Sequence, residues 1–294
     1  MAAHELPTVI VGNDMSPQLV AEVTTALSEM GVVVKADGFG PRARPAKVIV
    51  VLSPKGGSGK TAISSNLAVA LAQHKPGRVV AVDLDLQFGD LELALSINAE
   101  HTLAQIARSS EIDATTVKLH LTPTQHGLFV LGGAHDPLDA ESIGHGHVST
   151  VLGLLAQSFD YVVVDTPAGL DERTLAALEC ATDLLLVSSL DVTSIRSLRK
   201  ALDTLDSIGV AAERVFVLNR ADSKVGLQPS DASDVIGMEI LCAIPSSREI
   251  PLSLNLGTPV IVGEPKSPVA KQLAQLAQHY APAEAEKPRK GWRR

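Results

Sequence analysis

A doubly wound α/β fold, with a mainly parallel sheet between layers of helices, is the class this sequence predicts. Three observations carry that prediction. Short, continuous runs of Val, Ile, Leu and Ala recur along the chain, of the kind buried on both faces of a parallel sheet. Helical patterns fill the gaps between these runs, so strand and helix alternate over most of the length. A glycine-rich turn leaves one of the runs and opens directly into a helix, at the strand end where such sheets bind ligands. Composition agrees: 294 residues suffice for one large domain plus a small extra piece. A hydrophobic content of 45% argues against a disordered chain, and two cysteines against a disulfide scaffold.

The elements are expected in this order. Residues 8–11 are apolar and β-branched, Ser16 and Pro17 start a helix over 18–30, and Gly31 precedes an apolar run at 32–34. Together they make a short βαβ piece, closed by a Gly/Pro-rich linker at 38–45. The main domain opens with a strand at 47–52. Further strands are expected at 79–82, 128–131, 161–164, 184–187, 215–218 and 240–243. Amphipathic helices are expected at 61–73, 148–157, 172–180, 193–208 and 269–279. Residues 281–294, rich in Pro, Glu, Lys and Arg, read as a disordered basic tail.

Charge and targeting signals narrow the function classes. The chain carries 33 acidic against 25 basic residues, a net charge of −8, and five of its basic residues lie among the last eight. An acidic body argues against broad electrostatic binding to DNA. Cys180 and Cys242 lie in no CxxC pair, so they read as reduced core thiols. Neither a signal-peptide pattern nor about 18 consecutive apolar residues is found, so a cytoplasmic protein without an integral membrane segment is expected.

The strongest chemical signal is Ser53-Pro54-Lys55-Gly56-Gly57-Ser58-Gly59-Lys60-Thr61. Successive glycines let backbone N–H groups converge on a phosphate, and the helix N-terminus adds its dipole. Lys60 can reach β- and γ-oxygens, and the Thr61 hydroxyl can hold Mg2+. A plain Gly-rich turn is the alternative, but it does not call for Gly-Lys-Thr at its end. The usual GxxxxGK[ST] pattern places glycine at 54, where this chain has proline, and a lysine stands inside the loop at 55. A cluster of three carboxylates follows one strand, Asp83-Leu84-Asp85-Leu86-Gln87-Phe88-Gly89-Asp90, and a single carboxylate ends another, Asp165-Thr166-Pro167-Ala168-Gly169. Carboxylates grouped at a strand end repel one another unless a cation or its waters sit nearby; a helix cap or solvated loop is the alternative for Asp83 and Asp90, and the reading kept for Asp90. Asn219-Arg220 ends another strand, where an amide can pair with the donor and acceptor edges of adenine or simply form a turn.

Lys55 to Thr61, KGGSGKT, resembles the deviant Walker A loop of the ParA/MinD ATPases. The resemblance extends over about residues 46–279 and implies a P-loop NTPase fold with Mg-ATP as its ligand. It implies that Lys55 reaches across a nucleotide-sandwich homodimer to the partner's ATP, the alternative being a solvated surface lysine. Lys55, Gly56, Gly57, Ser58, Gly59, Lys60, Thr61 and Ala62 would then surround the phosphates. Thr61, Asp85 and Asp165 would serve the magnesium, Asp85 would orient the hydrolytic water in switch I, and Gly169 would let switch II move. Lys55, Lys60, Asp85 and Asp165 form the implied catalytic set. Asn219, Arg220, Pro245 and Ser246 would hold the base, with the stretch from Pro251 to Val260 as a closing element.

The switch I spelling is similar to the CpaE/TadZ branch of that family, which places Flp/Tad pilus or secretion machinery at a pole. That resemblance implies ATP hydrolysis, pilus, secretion or polar-localisation partners, and recruitment to a pole or another membrane-proximal site. It also makes residues 1–37 a truncated receiver-like segment, ahead of a linker at 38–45, an ATPase domain at 46–280 and the tail. Partition or division-site ATPases of the same family, and a non-hydrolysing nucleotide-dependent scaffold, are the alternatives. Arg196, Arg199 and Lys200 offer a DNA or partner face, against which stands an ordinary exposed helix face. The tail offers weak contact with a membrane surface, against a plain solvated tail.

Overall fold

The computed structural model describes residues 8–11, 33–36 and 45–281. Two strands stand apart in a sheet of their own: β1 (Thr8–Val11) and β2 (Val33–Ala36) pair in parallel, Thr8 against Val33 through to Val11 against Ala36. Parallel neighbours require a crossover, as a βαβ piece demands. The second strand begins one residue later than expected and runs two residues further. The expected helix at 18–30 lies outside the described residues, as do nearly all of the linker and the tail.

The main sheet has eight strands: β3 (Lys47–Leu52), β4 (Val79–Asp83), β5 (Thr122–Pro123), β6 (Phe129–Leu131), β7 (Tyr161–Asp165), β8 (Asp183–Ser189), β9 (Glu213–Asn219) and β10 (Ile240–Ile244). Their spatial order is β10-β9-β8-β3-β7-β4-β6-β5, all parallel except the antiparallel edge pair β5 and β6. Pro123 fits that edge, because a residue without an N–H cannot serve a central ladder. Each expected strand is present: β3 matches, β6 starts one residue later, and the other five are longer by one to three residues, while β5 carried no apolar run to announce it.

Alternation along the strands explains why their sequences are continuously apolar. In β3, Val48, Val50 and Leu52 join one core layer while Ile49 and Val51 join the other. In β7 and β8 the division repeats, with Val162, Val164, Leu184 and Leu186 on the first face and Val163, Leu185 and Val187 on the second. Successive side chains point to opposite faces, so both must be apolar when helices cover both.

The helices are α1 (Lys60–His74), α2 (Leu91–Ala94), α3 (Leu103–Ala107), α4 (Ala114–Leu119), α5 (Pro137–Ala140), α6 (His145–Ser158), α7 (Glu172–Cys180), α8 (Val192–Ser207), α9 (Pro229–Ile236), α10 (Glu249–Leu256), α11 (Val260–Gly263) and α12 (Pro268–Tyr280). The five expected helices are all present. One differs in kind: α1 is not amphipathic, since every residue from Ala62 to Ala72 is buried. It lies against the sheet beneath α2 and α12, so no face is left for polar residues. Its interior polar groups bond within the chain: Asn66 Nδ2 donates to the Ala62 carbonyl at 2.8 Å, and Asn66 Oδ1 accepts from the Ile261 amide at 3.0 Å.

Strand β3 lies between β7 and β8, and the chain leaves it toward β4 on one side before crossing to β8 on the other. That reversal opens a crevice above the carboxyl end of β3, where the glycine-rich turn stands. Packing at full burial predicts a contrast in stability. Leu273→Ala in α12, where the side chain is 0% exposed, is expected to lower urea stability by about 2–5 kcal/mol. Leu119→Ala, at 70% exposure, is expected to stay within about 0.5 kcal/mol of wild type.

Candidate functional site

The turn after β3 holds its shape through groups that no helix or strand pattern announces. Gly59 is the N-cap of α1 with φ +95°, a conformation that side chains rarely adopt, and it offers no side-chain cap. The first-turn amides of α1 have no intrahelical acceptor, so they remain available to an anion. Ser58 Oγ is buried without a hydrogen-bond partner among the described residues. An orphaned hydroxyl beside uncapped amides is what a phosphate-binding loop leaves open, and the residues fit such a ligand.

Across the crevice, Asp165 ends β7 with its carboxylate fully buried. It accepts from Thr61 Oγ1 at 2.6 Å and from Ser64 Oγ at 2.9 Å. Burial pushes the Asp165 carboxyl up to about 6, against the pull of those hydroxyls and of Lys60. Lys60, 8% exposed, is lowered by burial, while Asp165 and Asp85 pull the other way. A hydroxyl and a carboxylate meeting at this distance supply the hard oxygen donors Mg2+ takes alongside substrate phosphates.

Asp83 ends β4 and pairs in register with Asp165 on β7. Burial raises its carboxyl well above the usual range, and Asp165 adds to the rise. Asp85, two residues on, is half-buried and accepts from the Phe88 amide at 3.3 Å. The helix-cap reading of Asp90 meets a partial correction: it stands at the N-cap position of α2, but its side chain makes no cap bond.

Lys55 turns outward. Its Nζ lies 3.2 Å from Asp191 Oδ1 and 2.6 Å from Thr193 Oγ1, at the N-terminus of α8. Asp191 caps that helix through the Ser194 amide at 2.9 Å and also accepts from the Ser194 and Thr193 hydroxyls at 2.6 Å. Burial opposes ionisation of Asp191, yet those bonds and Lys55 outweigh it and hold the carboxyl well below its usual range. Sequence reading missed Asp191, whose place just before a helix is the one signal that could have pointed to it, and gives no sign that Ser64 reaches Asp165. On α8, Arg199 is bound to Asp203 and to the Ile236 carbonyl at 2.8 Å, whereas Arg196 and Lys200 are exposed. The three cations therefore do not form one open face.

Asn219 serves the loop itself. Its Nδ2 donates to the Ser58 carbonyl at 2.8 Å, and its Oδ1 accepts from the Arg220 amide at 2.9 Å. One hydrogen and one lone pair of the amide remain for a base edge. Arg220, in the left-handed region at φ +53°, donates to the Gly57 carbonyl at 3.4 Å. Asp222 Oδ1 accepts from the Ser246 amide at 2.6 Å, which joins the loop after β9 to the Pro245–Ser246 turn after β10. The structure thus gathers the expected residues at one end of the sheet: the Lys55 to Ala62 loop, Asp85, Asp165, and the Asn219-Arg220 and Pro245–Ser246 loops.

Comparison with known proteins places this architecture. The AAA domain family matches residues 46–216, more than half of the chain. The septum site-determining protein MinD of Thermotoga maritima is 27% identical over 239 residues, covering 79% of this chain and 86% of that protein. Among solved structures, MinD from Pyrococcus horikoshii OT3, complexed with Mg-ADP, aligns with a TM-score of 0.72 at 28% identity, over 80% of this chain and 95% of that one. A ParA family ATPase from Chlorobium tepidum aligns at TM-score 0.74 and 28% identity, over 80% and 100%. The chain belongs to the AAA domain family, as a P-loop ATPase of ParA/MinD type.

Two outcomes follow from the geometry. A Cβ at residue 59 would lie 2.4 Å from Asn219 Nδ2, so Gly59→Ala should lower affinity for a fluorescent ATP analogue at least about tenfold, with the far-UV spectrum unchanged. The second concerns Asp165. A carboxyl raised from 3.8 to about 6 penalises the folded state once ionised, and that penalty disappears as pH falls below the ordinary carboxylate range. Without nucleotide, Asp165→Asn should melt above wild type near about pH 7.5, with the gap closing toward about pH 5. A gap independent of pH would remove the assignment.

Proposed function

We propose that this ParA/MinD-type ATPase is a Mg-ATP-dependent dimerising switch that hydrolyses ATP and positions a cellular assembly. The observation that carries the reading is the convergence of Thr61, Lys60 and Asp165 on an uncapped, glycine-rich helix N-terminus. Lys60 would neutralise phosphate charge. Thr61 and Asp165, with Asp85 nearby, would hold Mg2+, which would supply positive charge to offset that of the phosphates. Asp85 would orient the attacking water, and the backbone of Gly56 to Ala62 would cradle the phosphates. Asn219, Arg220, Pro245 and Ser246 would enclose the base. For the main unit we take residues 46–280, with 1–37 as a separate receiver-like segment.

Lys55 supports the dimer. Its ammonium lies on Asp191 and Thr193, away from its own loop, so it does not serve the loop that carries it. Reaching a partner's phosphates would mean exchanging that ion pair for a more highly charged site. Loss of the γ-phosphate on hydrolysis would reverse the exchange and free the two copies.

The cargo is read from the switch I spelling, Asp85-Leu86-Gln87-Phe88-Gly89-Asp90, which favours Tad-type pilus or secretion machinery and recruitment from the cytoplasm to a pole. No helix among the described residues is long and apolar enough to cross a membrane. A division-site or partition role is the second reading, favoured by the MinD and ParA relatives.

Light scattering with phosphate release tests the switch. ATP and Mg2+ should double the mass of wild type, Lys55→Ala should remain monomeric, and Asp85→Ala should stay dimeric with turnover reduced at least about 100-fold. A monomer that ignores both nucleotide and Lys55→Ala would overturn the dimer, and dimerisation without any turnover would leave a scaffold. Salt-sensitive, ATP-dependent retention on duplex DNA would favour partition instead.

A further inference from the structure

We infer that Asp83 is a positioning residue for Asp85: from the last place in β4 it ties down both ends of the loop that carries that carboxylate. The inference rests on the hydrolytic reading above. Asp83 is 4% exposed, and each of its oxygens accepts a different backbone amide. Oδ1 takes the Asp85 N–H at 3.0 Å and Oδ2 the Leu91 N–H at 3.2 Å. Leu91 is the first residue of α2, and the N-cap residue of that helix, Asp90, supplies no side-chain bond. Asp83 therefore caps α2 from eight positions upstream, and the loop from 85 to 91 is closed on one carboxylate.

Space around the carboxylate is filled. A Cβ at residue 89 would lie 2.3 Å from Asp83 Oδ2 and 2.6 Å from the Asp85 carbonyl oxygen, so the loop passes over Asp83 at a distance only glycine tolerates. A Cβ at residue 133 would lie 2.8 Å from Leu86 Cδ2 and 3.0 Å from the Asp83 backbone carbonyl oxygen, so the main chain that leaves β4 is closely packed as well. Leu84 and Leu86, 1% and 5% exposed, anchor the residues either side of Asp85 in the core. Between those anchors and the amide bond, the direction of the Asp85 side chain is set before any ligand arrives. Two N–H donors call for two acceptor oxygens, which a carboxylate provides. Asparagine offers one, and turns an NH2 toward the second amide.

The two carboxylates at the ends of β4 and β7 thus divide the work. Asp165 holds the phosphate-loop helix through Thr61 and Ser64, and Asp83 holds the loop bearing Asp85. Since β4 and β7 pair Asp83 with Asp165, the two loops are referenced to one rigid edge.

The test uses the full-length protein, phosphate release, displacement of a fluorescent ATP analogue and amide hydrogen exchange. Asp83→Asn should lower kcat about tenfold to 100-fold, leave KM and analogue affinity within about twofold, and speed exchange at Asp85 and Leu91. Gly89→Ala, which presses on Asp83 from the exposed side without removing a carboxylate, should give the same pattern. Wild-type kcat in both variants would overturn the inference, as would loss of nucleotide affinity in step with kcat, which marks a merely structural residue. If wild type itself shows no turnover above Asp85→Ala, the hydrolytic reading fails separately. The clamp then stands or falls on exchange alone: faster exchange at Leu91 in Asp83→Asn sustains it, and unchanged protection refutes it.

Discussion

The bond between the Asp165 carboxylate and the hydroxyls of Thr61 and Ser64 is the constraint on which the rest of this site depends. It joins the end of β7 to the first turn of α1, residues 104 and 101 positions apart in the chain. Without it, α1 would be placed only by apolar packing, which fixes a helix against a sheet but does not aim its N-terminus. With it, the uncapped amides, the Lys60 ammonium and the carboxylate share one frame. The arrangement is not the most stable one available: a buried carboxyl raised to about 6 marks an ionised group held where burial disfavours it. Sites built for charged ligands often carry such a penalty, because the ligand supplies the compensating charge.

A second constraint surrounds the first. Asn219 reaches from β9 to the Ser58 carbonyl and Arg220 to the Gly57 carbonyl, so the phosphate loop is braced from the far side of the sheet. Asp222 joins the loops after β9 and β10 through the Ser246 amide. The loops at the carboxyl ends of β3, β9 and β10 are thus linked directly, which allows occupancy of one to be felt at the others. Lys55 belongs to the same network but points out of it, toward Asp191 at the start of α8. An exposed ion pair of this kind is weak, so a stronger anion can displace it at little cost.

Much of this was legible in sequence, for reasons specific to each part. The sheet was legible because strands covered on both faces must be apolar at every position, as Val48 to Leu52 are. The phosphate loop was legible because Gly59 has to adopt a positive φ and Lys60 and Thr61 must follow it. Helices α9 and α10 carry Pro229, Gly237 and Gly257 at their bounds, yet at eight residues each they are too short to show a clear helical period. The burial of α1 was not legible, since Ser64, Ser65 and Asn66 fit an amphipathic helix until packing shows each bonded inside the core. The use of Asp83 rather than Asp90 to cap α2 was not legible either, because caps are ordinarily local and this one spans eight residues.

What the sequence by itself determined is the kind of protein: an alternating α/β chain whose glycine-rich turn, lysine and threonine fit a nucleoside triphosphate. These features depend on neighbours in the chain, on periodicity and on the conformations a residue type allows, so the residues alone carry them. Only the tertiary structure decided who holds whom. Thr61 with Asp165, Lys55 with Asp191 and Asn219 with Ser58 lie 104, 136 and 161 positions apart. Such pairings follow from the order and register of the strands, a property of the whole sheet that no local pattern contains.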